Sequence, residues 1–188
     1  MALERKFYNR DTLEVAHDLL GKKLIRWLDG TELSGIIVET EAYCGESDSA
    51  CHAHRGQTLR NATMFGPPGC AYVYFTYGMH YLLNLVTEEE GKPCAVLVRA
   101  ILPLTGVAEM QARRKRRGKD LTNGPAKLCQ ALSIDKSFNG WDLTEGRQLW
   151  VEQHQNVPAD RISVTPRIGI DYARKEDREA LWRFLMRP

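Results

Sequence analysis

Residues 71–84, A-Y-V-Y-F-T-Y-G-M-H-Y-L-L-N, hold four of the chain's seven tyrosines within ten positions. Tyr72, Val73, Tyr74, Phe75, Thr76 and Tyr77 are all β-branched or aromatic, which predicts a strand. Gly78 supplies a turn, and 80–86 reads as the returning strand, so the segment is a hairpin with an aromatic tip. A hairpin buried on both faces would not use tyrosine so often, because each phenol needs a partner once it leaves water. Flat rings on a narrow tip can pack against a sheet, enter a protein interface or stack on nucleic-acid bases.

Around this hairpin the chain has 188 residues, enough to bury a core without metals or disulfides, and one domain spanning 1–188 is expected. A hydrophobic content of 43% with 27% charged residues excludes fibrous and disordered classes. The opening M-A-L-E-R-K-F-Y-N-R-D has no apolar targeting core, and no apolar run approaches the roughly 18 residues of a membrane span. A cytoplasmic protein without membrane partners is the expectation. Five cysteines, an odd number, argue for reduced thiols over a disulfide framework. A net charge of +2 does not by itself indicate a nucleic-acid binder, but Arg113, Arg114, Lys115, Arg116, Arg117 and Lys119 crowd together. That cluster is either a solvated loop or an electrostatic footprint for phosphates.

In chain order, Asn9 or Asp11 can cap a first helix that Gly21 ends. Residues 23–28 read as a strand, Asp29-Gly30 as a tight turn and 32–43 as the returning strand. Between Cys44 and Pro68 periodicity vanishes, and a loop of that length in a folded domain is usually functional. A strand is expected at 94–99, a helix at 106–117, and another at 126–132 with Asn123-Gly124-Pro125 opening it. The C-terminal third reads as strands at 149–152 and 167–170 and a helix at 175–185. The fold class is therefore α+β.

Dinucleotide-binding, phosphate-loop, zinc-protease and serine-hydrolase motifs are all missing. Cys44, Cys51, His52 and His54 lie close enough to raise a zinc site, yet no C-x-x-C pair exists and adjacent Cys51 and His52 suit one tetrahedral ion poorly. No metal is expected. Glu39, Glu41 and Asp48 remain as acidic candidates; the strand period puts Glu39 and Glu41 on one face, and Ile36-Ile37-Val38 before them predicts carboxylates delivered at a rim.

Four blocks carry a resemblance: V-E-T-E-A-Y at 38–43, L-R-N-x-x-M-F at 59–65, Y-V-Y-x-x-Y-G-M at 72–79 and G-P-A-K-L-C-Q-A-L at 124–132. In this order they resemble the alkyladenine (3-methyladenine) DNA glycosylases over residues 11–143, whereas 171–188 does not visibly follow the family pattern. The resemblance implies a curved, mostly antiparallel sheet with surrounding helices and a protruding hairpin that enters the DNA minor groove. It implies an enzyme acting on double-stranded DNA that carries a damaged purine, as a monomer, with no cofactor.

Carried over by position, the resemblance makes Glu41 the carboxylate that activates water and Arg99 an arginine that helps hold it. Tyr43, His52 and Tyr74 would enclose an extruded base, with the His52 amide reading its edge, and Asn84 would crowd out normal guanine. Tyr77 would enter the duplex. The helix start at Gly124 with Lys127, and Arg113, Arg114 and Arg116 of the basic cluster, would meet the DNA backbone.

A pocket shared by Tyr74 and Asn84 requires both on one hairpin face. A two-residue turn at Gly78-Met79 would separate them, so a three-residue loop Gly78-Met79-His80 pairing Tyr74 with Asn84 is predicted, with Tyr77 pointing away from the Tyr74 face. A non-catalytic nucleic-acid-binding module using the same hairpin and basic loop, and a zinc-stabilised interaction domain, stay open as alternatives.

Overall fold

The computed structural model describes residues 1–187 and begins with two short helices, α1 (Arg5–Tyr8) and α2 (Thr12–Asp18). Asp11 caps α2, its side chain accepting from the amides of Leu13 and Glu14. Strands β1 (Lys23–Leu28) and β2 (Thr31–Cys44) follow, joined by Asp29 and Gly30 at φ of 50° and 78°. Two successive left-handed residues match the right-handed twist of the flanking strands, which explains the Asp-Gly pair. The hairpin is β3 (Ala71–Thr76) and β4 (His80–Thr87), followed by β5 (Cys94–Thr105), α3 (Val107–Arg114) and α4 (Pro125–Leu132). The chain closes with β6 (Leu149–Glu152), β7 (Ile162–Thr165), α5 (Lys175–Glu179) and β8 (Arg183–Met186). No helix among the described residues is long and apolar enough to cross a membrane.

Every strand pair is antiparallel, in the order β3-β4-β5-β2-β1-β6. The long β2 forks the sheet. Its first half, Thr31 to Ile36, pairs with β1; beyond that, Glu39, Thr40 and Glu41 pair with β8, which also carries β7. Registers across four strands align Tyr72 with Asn84, Asn84 with Leu97 and Leu97 with Glu41. Directly opposed residues project to the same side, so this row crosses one face at roughly 4.8 Å per strand. The other face, with Val73, Leu83, Leu85, Val96 and Val98, is the main core, covered by α2 and α4. Thr40 points to that side, its hydroxyl donating 2.7 Å to the Ala16 carbonyl of α2.

Several expectations change. The hairpin loop has three residues, but they are Tyr77, Gly78 and Met79, closed by a Thr76–His80 pair. Tyr74 therefore opposes Leu82, not Asn84; Asn84 opposes Tyr72 and still shares the Tyr74 face, because the slip is two residues. Tyr77 and Gly78 both take positive φ, 51° and 68°, so strand alternation ends at Thr76, and Tyr77 lines the same cavity as Tyr74 instead of pointing away. Residues 167–170 are loop: Pro166 cannot donate to a ladder and Gly169 has φ of 77°, and the free edge of β2 is taken by β8. The last helix stops at Glu179, since Arg183–Met186 pairs with both β2 and β7. The carboxylates are not at a rim either; Glu41 is wholly buried, under the closing strand β8 and the loop after β7.

Candidate active site

Glu41 sits at the centre of a cluster of hydrogen-bond donors. Its Oε2 accepts from the Tyr43 hydroxyl at 2.9 Å and from Arg99 Nη1 at 3.2 Å, and its Oε1 accepts the Ile168 amide at 2.8 Å. A buried carboxylate without such donors would be costly, and here each donor comes from a different segment. Tyr43 follows two residues later on the same face of β2. Arg99 arrives through an irregularity: Ile37 opposes Ile101, Glu39 opposes Ala100 and Thr40 opposes Val98, leaving Val38 and Arg99 unpaired. Such bulges re-aim a side chain, and this one turns the guanidinium toward both carboxylates.

Arg99 Nε also donates to Glu39 at 2.9 Å, and Glu39 receives Arg183 Nε at 2.7 Å. Glu39, Glu41, Arg99 and Arg183 thus balance two negative against two positive charges. Burial works against the Arg99 charge, but Glu41 and then Glu39 outweigh it and raise its pKa. Burial, and then the Glu41 charge, push the Tyr43 phenol well above its ordinary range, so it is a donor to Glu41.

Above this cluster opens a cavity of about 560 Å³, a size typical of small-ligand sites. Tyr43, His52, Tyr72, Tyr74, Asn84 and Arg99 line it, along with Tyr77 and the Ile168 loop. The rings of His52 and Tyr74 lie 4.5 Å apart, edge to face, and Tyr72 and Tyr74 lie 5.4 Å apart. His52 Nδ1 shares a 3.0 Å hydrogen bond with the Tyr72 hydroxyl. Desolvation by the surrounding rings, and then the Arg60 charge, push the His52 imidazole down to about 4, although the residue as a whole is exposed. Asn84 is buried and donates 3.1 Å to the Tyr72 carbonyl, which fixes its amide at the cavity wall.

Tyr77 stands at the hairpin tip, 85% exposed, with Met79 at 69% and Phe75 at 48% beside it. The first turn of α4 borders the cavity through Pro125 and Ala126, and no side chain caps its amides beside Gly124. Lys127 is tied to Asp120 at 2.5 Å and Asn123 at 2.9 Å. Arg113, Arg114 and Arg116 do not reach the cavity; Arg114 donates to Gln130 at 2.7 Å, Arg116 lies 3.6 Å from Asp120, and Arg113 is exposed.

The four residues of the zinc alternative do not gather. His54 Nδ1 lies 2.7 Å from the Glu46 carbonyl, and among the described residues no group of three or more metal-ligating side chains shares a centre. Asp48, grouped by sequence with Glu39 and Glu41, is instead paired with Arg167. Tyr72, Asn61 and Ile168 also belong to this arrangement, without a role that the sequence expectations named. Asn61, in the L-R-N block, donates to the His52 carbonyl at 2.9 Å and so shapes the loop that delivers His52. Ile168 contributes only a backbone amide, for which a side-chain pattern carries no signal.

Residues 6–188 match the family described as methylpurine-DNA glycosylase (MPG). A "Putative 3-methyladenine DNA glycosylase" of Methanocella arvoryzae is 51% identical over 184 residues, covering 97% of this chain and 90% of that protein. The protein of the same name in Clostridium perfringens (strain SM101 / Type A) is 46% identical over 198 residues, covering 100% of this chain and 96% of its own. That of Carboxydothermus hydrogenoformans is 52% identical over 172 residues, covering 91% and 90%. The family match continues through 171–188, the end that the four sequence blocks had left outside, in keeping with the Arg183 contact to Glu39. Matched almost from end to end, the chain belongs to the methylpurine-DNA glycosylase family and is a DNA N-glycosylase.

Proposed function

We propose that this chain removes damaged purines of the 3-methyladenine, 7-methylguanine, hypoxanthine and ethenoadenine class from double-stranded DNA, leaving an abasic site. The observation that carries this reading is that Tyr43, Arg99 and Ile168, the three donors to the buried Glu41, all line one aromatic cavity. A base within a duplex cannot be attacked at its sugar, so it must be extruded, at a cost of about a few kcal/mol. Tyr77, exposed at the tip, fills the vacated stack, and a base–aromatic contact returns about 1–3 kcal/mol. The extruded purine lies against Tyr43, His52 and Tyr74; a positively charged alkylpurine gains from their negative faces. Asn84 crowds the wall against the exocyclic amine of guanine.

An ionised carboxylate has about four acceptor positions, and three on Glu41 are filled. One is left to take a proton from water as the water attacks the sugar, while the charge steadies the oxocarbenium-like transition state. Arg99 balances the carboxylate and helps position that water. Among the described residues that line the cavity none is a lysine, which supports water as nucleophile and a monofunctional enzyme without strand cleavage. The amides beside Gly124, with Lys127, Arg113, Arg114 and Arg116, contact the DNA backbone, and the protein works as a monomer.

Incubation with duplexes carrying hypoxanthine, 1,N6-ethenoadenine or alkylated purine, followed by alkaline cleavage, tests this. Abasic sites at one or more lesions are expected. Lesion binding with no base release from any of them would favour a non-catalytic module.

A further inference from the structure

We propose that Arg167 is a positioning residue for base excision, holding the Ile168 amide and the Tyr43 ring against Glu41; this rests on the excision reading above. Arg167 lies in the loop after β7, and its side chain and that of Asp48 are both completely buried. The two form a planar fork, Nη1 to Oδ2 at 2.6 Å and Nη2 to Oδ1 at 2.9 Å. Nη1 also donates to the Ala42 carbonyl at 2.9 Å and Nη2 to the Asp177 carbonyl at 3.2 Å. The guanidinium is stacked between two rings, 4.7 Å from Tyr43 and 4.8 Å from Trp182.

These contacts surround the catalytic carboxylate without touching it. Ala42 and Tyr43 are the two residues after Glu41 on β2, and Arg167 holds one by its carbonyl and the other by its ring. Ile168, the residue after Arg167, places its amide on Glu41 Oε1. Asp48 extends the same link to the cavity's far wall, its oxygens accepting the Cys44 amide at 3.2 Å and the Ala50 amide at 3.0 Å. One guanidinium therefore joins three segments, each of which carries part of the site. Ile168 and Gly169 are themselves exposed, so the fork beside them sets where the amide points. Lysine would keep the charge but lacks the planar fork and cannot stack between two rings while pairing bidentately.

The test is single-turnover release of hypoxanthine from a duplex, with the maximal rate and the half-saturating enzyme concentration measured for wild type, Arg167→Lys, Ile168→Pro and the double variant. Ile168→Pro removes the amide hydrogen at Glu41, and with it the Ile168 side chain from the cavity wall, while fixing the local backbone. Arg167→Lys is expected to lower the maximal rate at least tenfold while half-saturation stays within threefold of wild type. Ile168→Pro is expected to do the same, and the double variant to be no more than threefold slower than the slower single variant, since both act through one contact. Rate reductions that multiply, or a maximal rate for Arg167→Lys within threefold of wild type, overturn the proposal. Where Arg167→Lys does not melt cooperatively, Asp48→Asn loosens the fork from its other side with its shape kept. The same fall in rate at unchanged half-saturation is expected there, and a wild-type rate overturns the proposal. No release by the wild type overturns the excision reading and this proposal together, whereas equal rates for wild type and Arg167→Lys overturn this proposal alone.

Discussion

The amide of Ile168 donates to Glu41 Oε1 at 2.8 Å, joining residues 127 positions apart. Strand β2 by itself delivers only Glu41 and Tyr43, and Arg99 enters where β5 bulges against it. The third donor exists because β8 closes the edge of β2 and brings the preceding loop over the carboxylate. The late loop and β8 thus complete the hydrogen bonding and burial of Glu41, and truncating them would expose that carboxylate as well as removing a strand.

Tyr77 separates function from stability. It is a non-glycine residue at φ of 51°, a conformation that costs an L-residue about 1–2 kcal/mol. Its ring is 85% exposed. Tyr77→Gly should therefore leave the melting temperature unchanged or raised, while excision from duplex DNA falls roughly 5- to 150-fold for the removal of about 1–3 kcal/mol of stacking. Thermal melts with single-turnover assays check both; an unchanged duplex rate would remove the tip from base extrusion.

His52 gives a pH signature. Burial, and then Arg60, hold the folded imidazole down at about 4, against about 6.5 in an unfolded chain. Below pH 6.5 the unfolded state takes up the proton first, so His52 makes no difference to stability above that pH and lowers it as pH falls toward about 4. An NMR titration should place the His52 midpoint clearly below 6.5, and Tyr72→Phe should alter it by removing the Nδ1 partner. A midpoint at or above 6.5 would mean that the ring is not shielded as described.

The basic cluster predicts a salt effect. Arg113, Arg116 and Arg117 are exposed, Arg116 with a loose ion pair to Asp120 at 3.6 Å and a hydrogen bond to the Lys115 carbonyl at 3.3 Å. Replacing all three with glutamine should flatten the slope of log K against log salt by about 0.9 for each phosphate that is no longer neutralised. Fluorescence titration of a duplex across salt concentrations measures it. An unchanged slope would assign these side chains to a solvated loop.

The sheet was legible where strands speak for themselves. Residues 23–28 and 149–152 form strands with the expected limits, because each is a short run with β-branched and aromatic residues bounded by polar, turn-forming segments. The start of the last helix at Lys175 was legible too, but 167–170 and 180–186 were not, since Arg183–Met186 becomes a strand only by meeting the open edge of β2, and no local pattern encodes a partner more than a hundred residues away. The acidic candidates divide for a similar reason. Glu41 and Asp48 look alike in sequence, yet one meets Arg99 and the other Arg167, and only the bulge in β5 and the late loop decide which. The shared face of Tyr74 and Asn84 could be argued from parity, while their exact opposition could not, because Tyr77 leaves the strand conformation one residue early.

The central claim is that Glu41 activates water within an already assembled pocket. Single-turnover release of hypoxanthine from duplex DNA by wild type and Glu41→Gln, with binding of the same duplex measured in parallel, tests it most directly. Glu41→Gln is predicted to bind within a few-fold of wild type and to release the base about 10²- to 10⁴-fold more slowly, the usual contribution of a general base. Release by Glu41→Gln at a near wild-type rate would contradict that role.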